Sequence, residues 1–238
     1  MSGLSGPQLA DLLGVAVLGF SVFIAANKRL ELSIVALALQ AVAIASLAAL
    51  AGLGAEALGA GGDPTHVYWS AGMVLAVKAG VVPLVLWYFA ARSRAAFAGA
   101  EARAAGVARL GGDEFNSLYS LVAALGLIVL AYWSGRSLSG LENLIDPRGM
   151  TLAIAMSLIG LLVMVGRRNA LAQVLGLAVL ENGVFLASVA ATRGMPLAVE
   201  AAVLADLVLG AMIMGYLSYR IHRAFDTLDT GKLNTLRG

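Results

Sequence analysis

Three ionisable side chains interrupt otherwise apolar stretches of this chain. They are Glu181 in GRRNALAQVLGLAVLENGVFLASV, Lys78 in VYWSAGMVLAVKAGVVPLVLWYFAAR and Asp206 in AVEAAVLADLVLGAMIMGYLSYR. Each falls near the middle of its stretch. A charge there costs about 2.5–3.5 kcal/mol even on a lenient insertion scale, so a spanning helix seldom carries one without a use. Burial disfavours the charged form of acid and amine alike, and an opposite charge nearby restores it. Acid and amine groups at one depth can therefore pair or exchange protons through small movements. Water-bridged Glu, Asp and Lys residues are the usual parts of intramembrane proton relays. The spacing establishes a common depth; that the three meet through water is the expectation built on it.

The neighbours of each group bear on that expectation. Lys78 stands five residues before Pro83. Proline withholds one backbone donor and leaves a carbonyl of the preceding turn unpaired. Such a defect is tolerated where protein or water re-satisfies it, so a lysine beside a helix break points to a wet, protein-lined spot. A buried ion pair without any transport role accounts for Lys78 as well, and the two readings are compatible. Glu181 is followed by Asn182 and Gly183, which sets polarity beside space. Asp206 has Gly210 one turn later on the same helix face. Glu200 lies one turn inside the outer end of its stretch, where it can reach the interface, and is a secondary member of the set. Asp11, Glu31 and Glu56 belong to ends or loops, and solvation explains them.

The elements that must position these groups are transmembrane helices. Of 238 residues, 60% are hydrophobic and only 13% charged, about half the charged share of a soluble domain. The ten-residue alternation of an outer-membrane barrel is absent. Seven apolar stretches, near 8–26, 31–53, 67–91, 117–135, 149–166, 170–191 and 197–221, are each long enough to cross a hydrocarbon core of ~30 Å. The fold expected is all-α, a polytopic bundle of about seven spans. The first stretch has no basic segment before it and no small-residue cleavage site after it, so it is read as a retained span. The alanine-rich run RAAFAGAEARAAGVARL, between the third and fourth stretches, has the composition of a short surface helix.

Basic residues orient the bundle. With the N-terminus outside, one face receives Lys28, Arg29, Arg92, Arg94, Arg103, Arg109, Arg167, Arg168, Arg220, Arg223, Lys232 and Arg237, and the other only Arg136, Arg148 and Arg193. Twelve against three is a strong positive-inside bias, giving N-out and C-in. Tyr68, Trp69, Trp87, Tyr88, Tyr132 and Trp133 fall at span ends, where aromatic residues mark the headgroup level. Small residues at four-residue spacing, Ala172/Gly176 and Ala211/Gly215, share a helix face and favour close helix packing.

Cysteine is absent, which removes disulfides, iron–sulfur ligation and c-type haem. The two histidines, His66 and His222, fall on opposite sides of the membrane in this topology and cannot share a metal. No cofactor or metal is expected in the chain, and neither quinone nor nucleic-acid binding is signalled.

The last hundred residues resemble the small three-helix subunit K of complex I and the corresponding subunit of multisubunit cation/proton antiporters. The pieces that carry the likeness are GLLVMVGRRNALAQVLGLAVLENGV, LADLVLGAMIM and HRAFDTLDTGKLNTLRG. Arg167, Arg168, Asn169, Gly176, Leu177, Asn182, Ala205, Gly210, Arg237 and Gly238 match the family pattern. Two acids depart from it. The family glutamate after Gly-Leu is Ala178 here, with Glu181 three residues on and nearly on the same face. The second family glutamate falls on Asp206, one methylene shorter. The N-terminal portion, with Lys78 and Pro83, is similar to component E of hydrogenase-4, a family that fuses four spans to a K-like end.

That resemblance implies two portions, 1–136 with four spans and 137–238 with three spans and a short cytoplasmic tail. It implies a non-catalytic membrane-arm subunit of a complex-I-like hydrogenase or formate hydrogenlyase, multi-pass in a bacterial inner membrane. Its partners would be antiporter-like and quinone-module-like subunits and a peripheral hydrogenase module that holds the nickel–iron and iron–sulfur centres. Glu181, Asp206, Lys78 and Glu200 would then belong to a proton or cation pathway, with Pro83 breaking the helix beside it. The alternatives are an antiporter subunit without redox partners and a scaffold whose charges only fix helix registry. FIAANKRLELSIVALALQ also loosely echoes VMVGRRNALAQVLGLAVLE, as an internal duplication of a K-like unit would.

Overall fold

The protein is described by a computed structural model covering residues 6–57, 69, 72, 75–101, 116–137, 146–167, 170–192, 208, 210 and 212. Every regular element among them is helical, and there is no strand among the described residues. Six α-helices follow one another: α1 (Gly6–Ala26), α2 (Leu30–Ala57), α3 (Val82–Glu101), α4 (Ser117–Arg136), α5 (Pro147–Gly166) and α6 (Ala170–Thr192). A π-helical segment, Leu75–Val81, runs directly into α3. Among the described residues, five helices are long and apolar enough to cross a membrane, and Leu75–Ala91 is a shorter apolar one. The stretch near 197–221 lies almost wholly outside the described residues.

Two elements run past their sequence-based limits. The second stretch continues as helix to Ala57, and the third continues beyond residue 91 to Glu101. Both extensions are rich in alanine, the best helix former, and hold no proline to stop the ladder. The alanine-rich run assigned to a separate surface helix therefore begins as the end of α3.

Two antiparallel hairpins form the core, α1 with α2 and α5 with α6, each turned by a three-residue connection at 27–29 and 167–169. The hairpins lie in the same direction. At one end, the exposed Arg148 of α5 and Asp11 of α1 approach to 3.7 Å, a solvated pair that contributes little. At the other end, Arg167 donates from Nη2 to the carbonyl oxygens of Ile24 (3.3 Å), Ala25 (3.2 Å) and Asn27 (2.6 Å). The last carbonyls of a helix lack intrahelical partners, and a guanidinium satisfies them while complementing the dipole. One hairpin turn thus caps the other.

The tightest contact is between α5 and α6, made possible by glycine. A methyl group at Gly160 would come within 2.6 Å of the Leu180 backbone nitrogen, one at Gly176 within 2.9 Å of the Gly160 oxygen, and one at Gly183 within 2.8 Å of the Ser157 nitrogen. Lipid tails are as apolar as leucine, so helices associate in a bilayer through packing of this kind. The small-residue face expected around Gly176 is this contact; Ala211 and Gly215 lie outside the described residues. Asp146 starts α5, accepting from the backbone N–H of Arg148 (3.1 Å) and Gly149 (3.0 Å) ahead of Pro147. Trp69, Trp87, Tyr88, Tyr132 and Trp133 all face outward.

Candidate functional site

Two of the ionisable groups come together inside the bundle. Lys78 Nζ lies 3.9 Å from Glu181 Oε2, with the lysine side chain 2% exposed and the glutamate 16%. Glu181 is the twelfth residue of α6, about 16 Å along its axis at 1.5 Å per residue. That depth is close to the middle of a hydrocarbon core of about 30 Å. Phe185, one turn further along α6, presents its ring to the same lysine, with Nζ 5.6 Å from the centroid. One face of α6 therefore offers Lys78 both a carboxylate and an aromatic face.

Lys78 reaches this position from an unusual backbone. It sits at the centre of the π-helical segment, and the buried Pro83 follows in the first turn of α3. A π turn is a single wide turn that recurs at functional sites. Here it precedes Pro83, which cannot donate to the ladder. Where Pro83 predicts a break, a π-helical segment carrying the lysine runs directly into α3.

A second polar group lies beside the first. Gln40 of α2 is fully buried and donates from Nε2 to Ser21 Oγ (2.6 Å) and to the Val17 carbonyl (3.3 Å), both on α1. Its Oε1 accepts from Asn182 Nδ2 of α6 at 3.2 Å. Ser21 Oγ donates in turn to the Val17 carbonyl at 2.9 Å. Serine, glutamine and asparagine thus bridge three helices at the level of Glu181, the neighbour of Asn182. An interhelical hydrogen bond in a membrane is worth only about 0.6 kcal/mol on average. This network fixes registry more than it adds stability.

The sequence pointed to Lys78, Glu181 and Pro83 but passed over Gln40 and Ser21. A neutral amide or hydroxyl in a hydrophobic run changes the hydropathy little. The available signal was that Gln40, the eleventh residue of α2, has nearly the depth in its helix that Glu181 has in α6. Asp206 and Glu200 lie outside the described residues. Val208, two positions beyond Asp206, is partly buried against the core cluster that includes Ala178 and Val179. Among the described residues no group of three or more His, Asp or Glu side chains could hold a metal ion. The arrangement places a carboxylate beside an ammonium group in the middle of a helix bundle.

Comparison with known proteins places this chain among relatives. Residues 150–238 match the family of NADH-ubiquinone/plastoquinone oxidoreductase chain 4L, a region that takes in most of α5, all of α6 and Glu181. Over 238 residues, all of both chains, it is 29% identical to the uncharacterized protein Rv0085 of Mycobacterium tuberculosis. It is also 29% identical over 122 residues to hydrogenase-4 component E of Escherichia coli K12, covering 51% of this chain and 56% of that protein. Hydrogenase-4 component E of Shigella flexneri matches to the same extent. No solved structure matches the chain. The chain is thus similar to NADH-ubiquinone/plastoquinone oxidoreductase chain 4L in its C-terminal region and to hydrogenase-4 component E over half its length.

Proposed function

We propose that this chain is a non-catalytic membrane-arm subunit of a complex-I-like, membrane-bound hydrogenase of the hydrogenase-4 or formate hydrogenlyase type. Its buried acids and lysine form part of a proton or cation pathway coupled to redox chemistry in partner subunits. The observation that carries this reading is the Lys78–Glu181 pair at 3.9 Å. It stands on a π turn before Pro83, in a chain related to chain 4L and hydrogenase-4 component E. A pair at that distance lies outside tight hydrogen-bonding contact, so a small helix movement or an entering water changes its strength.

In this reading the chain crosses the inner membrane seven times, N-out and C-in, with a four-span portion over 1–136 and a K-like portion over 137–238. The pathway continues from Glu181 and Lys78 to Asp206, and Glu200 extends it toward the outer face. The chain holds no redox centre; nickel–iron and iron–sulfur centres belong to the peripheral module, and antiporter-like and quinone-module-like proteins flank the chain in the membrane.

Gentle solubilisation of native membranes, affinity capture of the tagged full chain and identification of the captured subunits test this assignment. Recovery of nickel–iron hydrogenase and iron–sulfur subunits with antiporter-like proteins is expected. Recovery of antiporter subunits without any redox protein would overturn it in favour of a cation/proton antiporter.

A further inference from the structure

We propose that Gln40 is a positioning residue for Glu181, holding α6 at the rotational setting that faces its carboxylate toward Lys78; the proposal rests on the pathway reading above. The geometry behind it is a shared template. Helix α2 packs both on α6 and on the π-helical segment that carries Lys78. Gln40 projects from α2 and grips Asn182, the residue next to Glu181, through its Oε1 at 3.2 Å. Its Nε2 is tied to Ser21 Oγ and the Val17 carbonyl of α1. The amide has little freedom to swing, because both of its ends are engaged and no part of it is exposed.

Rotation is the quantity at stake. Side-chain tips lie about 5–6 Å from a helix axis, so a roll of roughly 10° moves a carboxylate by about 1 Å. The Lys78–Glu181 separation of 3.9 Å is therefore sensitive to the setting of α6. The glycine contacts with α5 hold α6 close on one side, and the Gln40–Asn182 bond ties it to α2 on another. An amide pair is directional where apolar packing is not, and Gln40–Asn182 adds a directional constraint at the level of the carboxylate. Ser21, Gln40 and Asn182 carry no charge, so they orient the acid without competing for its proton.

Infrared difference spectroscopy of the full chain in its assembled complex, reconstituted in lipid, reads the Glu181 environment directly. The band is assigned by its loss in Glu181→Gln. Wild type gives one narrow Glu181 band, whereas Gln40→Leu shifts or splits it, with the facing setting depopulated about threefold per lost interhelical bond. Gln40→Asn alone is too short to span the gap and does the same. The exchange Gln40→Asn with Asn182→Gln keeps the summed length of the two side chains and restores the single band; this pair decides the matter should Gln40→Leu not accumulate in membranes. An unchanged Glu181 band in Gln40→Leu or Gln40→Asn overturns the proposal. If Glu181→Gln leaves ion movement intact while the Gln40 variants still shift the band, the positioning role stands and the pathway reading falls.

Discussion

Lys78 and Glu181 face each other at 3.9 Å as a buried ion pair. Removing one partner of a buried pair strands the other charge and typically costs about 3–5 kcal/mol, whereas removing both together is often nearly neutral. Lys78→Met alone should therefore destabilise the chain, toward the low end of that range because Glu181 is 16% exposed. Adding Glu181→Gln should recover most of the loss. Unfolding of the three variants in lipid–detergent mixtures measures this coupling; simple additivity would mean that the pair does not interact. These two residues were legible in the sequence because a full charge in an apolar run is costly enough to stand out. Gln40 and Ser21 were not, since neutral polar side chains disturb hydropathy little and are recognised only when the helices that unite them are in place. Asn182 was noticed as a polar neighbour of Glu181, yet its reach to Gln40 follows from the arrangement of two hairpins and not from spacing within one helix.

At the scale of elements, the closeness of α5 and α6 and the turn before α3 decide where the polar groups sit. A methyl group at Gly160 would meet the Leu180 backbone nitrogen at 2.6 Å, and backbone cannot yield as a flexible side chain can. Gly160→Ala should cost about 1–3 kcal/mol, as overpacking generally does. Gly126 of α4 has nothing within 4 Å of such a group, and Gly126→Ala should be neutral or slightly stabilising; comparing the two by unfolding in bicelles checks the interface. Pro83→Ala returns a backbone donor to α3 and lets the π turn close into a regular helix, which rotates Lys78 away from α6. The expected outcome is a folded chain with impaired ion movement and a weakened Lys78–Glu181 coupling, and retention of both would remove Pro83 from the account. The sequence signalled the break but not its form, because a missing donor is visible in composition while a change from α to π geometry is not. The extension of α3 to Glu101 was obscured in the same way, as alanine suits a buried span and a surface helix equally.

At the scale of the whole molecule, two hairpins lie in the same direction and bring α1 beside α5. Asp11 and Arg148 mark one end of that contact and Arg167 the other. The chain has no cysteine, so single introduced thiols report directly on sidedness. Ser137→Cys should react with a membrane-impermeant maleimide from outside the cell and Lys232→Cys only after the membrane is opened; the reverse pattern would refute the N-out, C-in orientation. The expectation of that orientation rests on the lysine and arginine distribution, while the common direction of the hairpins emerges from contacts far apart in the chain.

Glu181 is proposed above to take part in ion movement coupled to electron transfer. The direct measurement is the number of protons moved per electron by the purified complex in sealed vesicles, with wild-type chain or with Glu181→Gln. The variant is expected to assemble with its full set of subunits and turn over electrons while its proton movement falls sharply. Undiminished proton movement per electron in a fully assembled Glu181→Gln complex would contradict it.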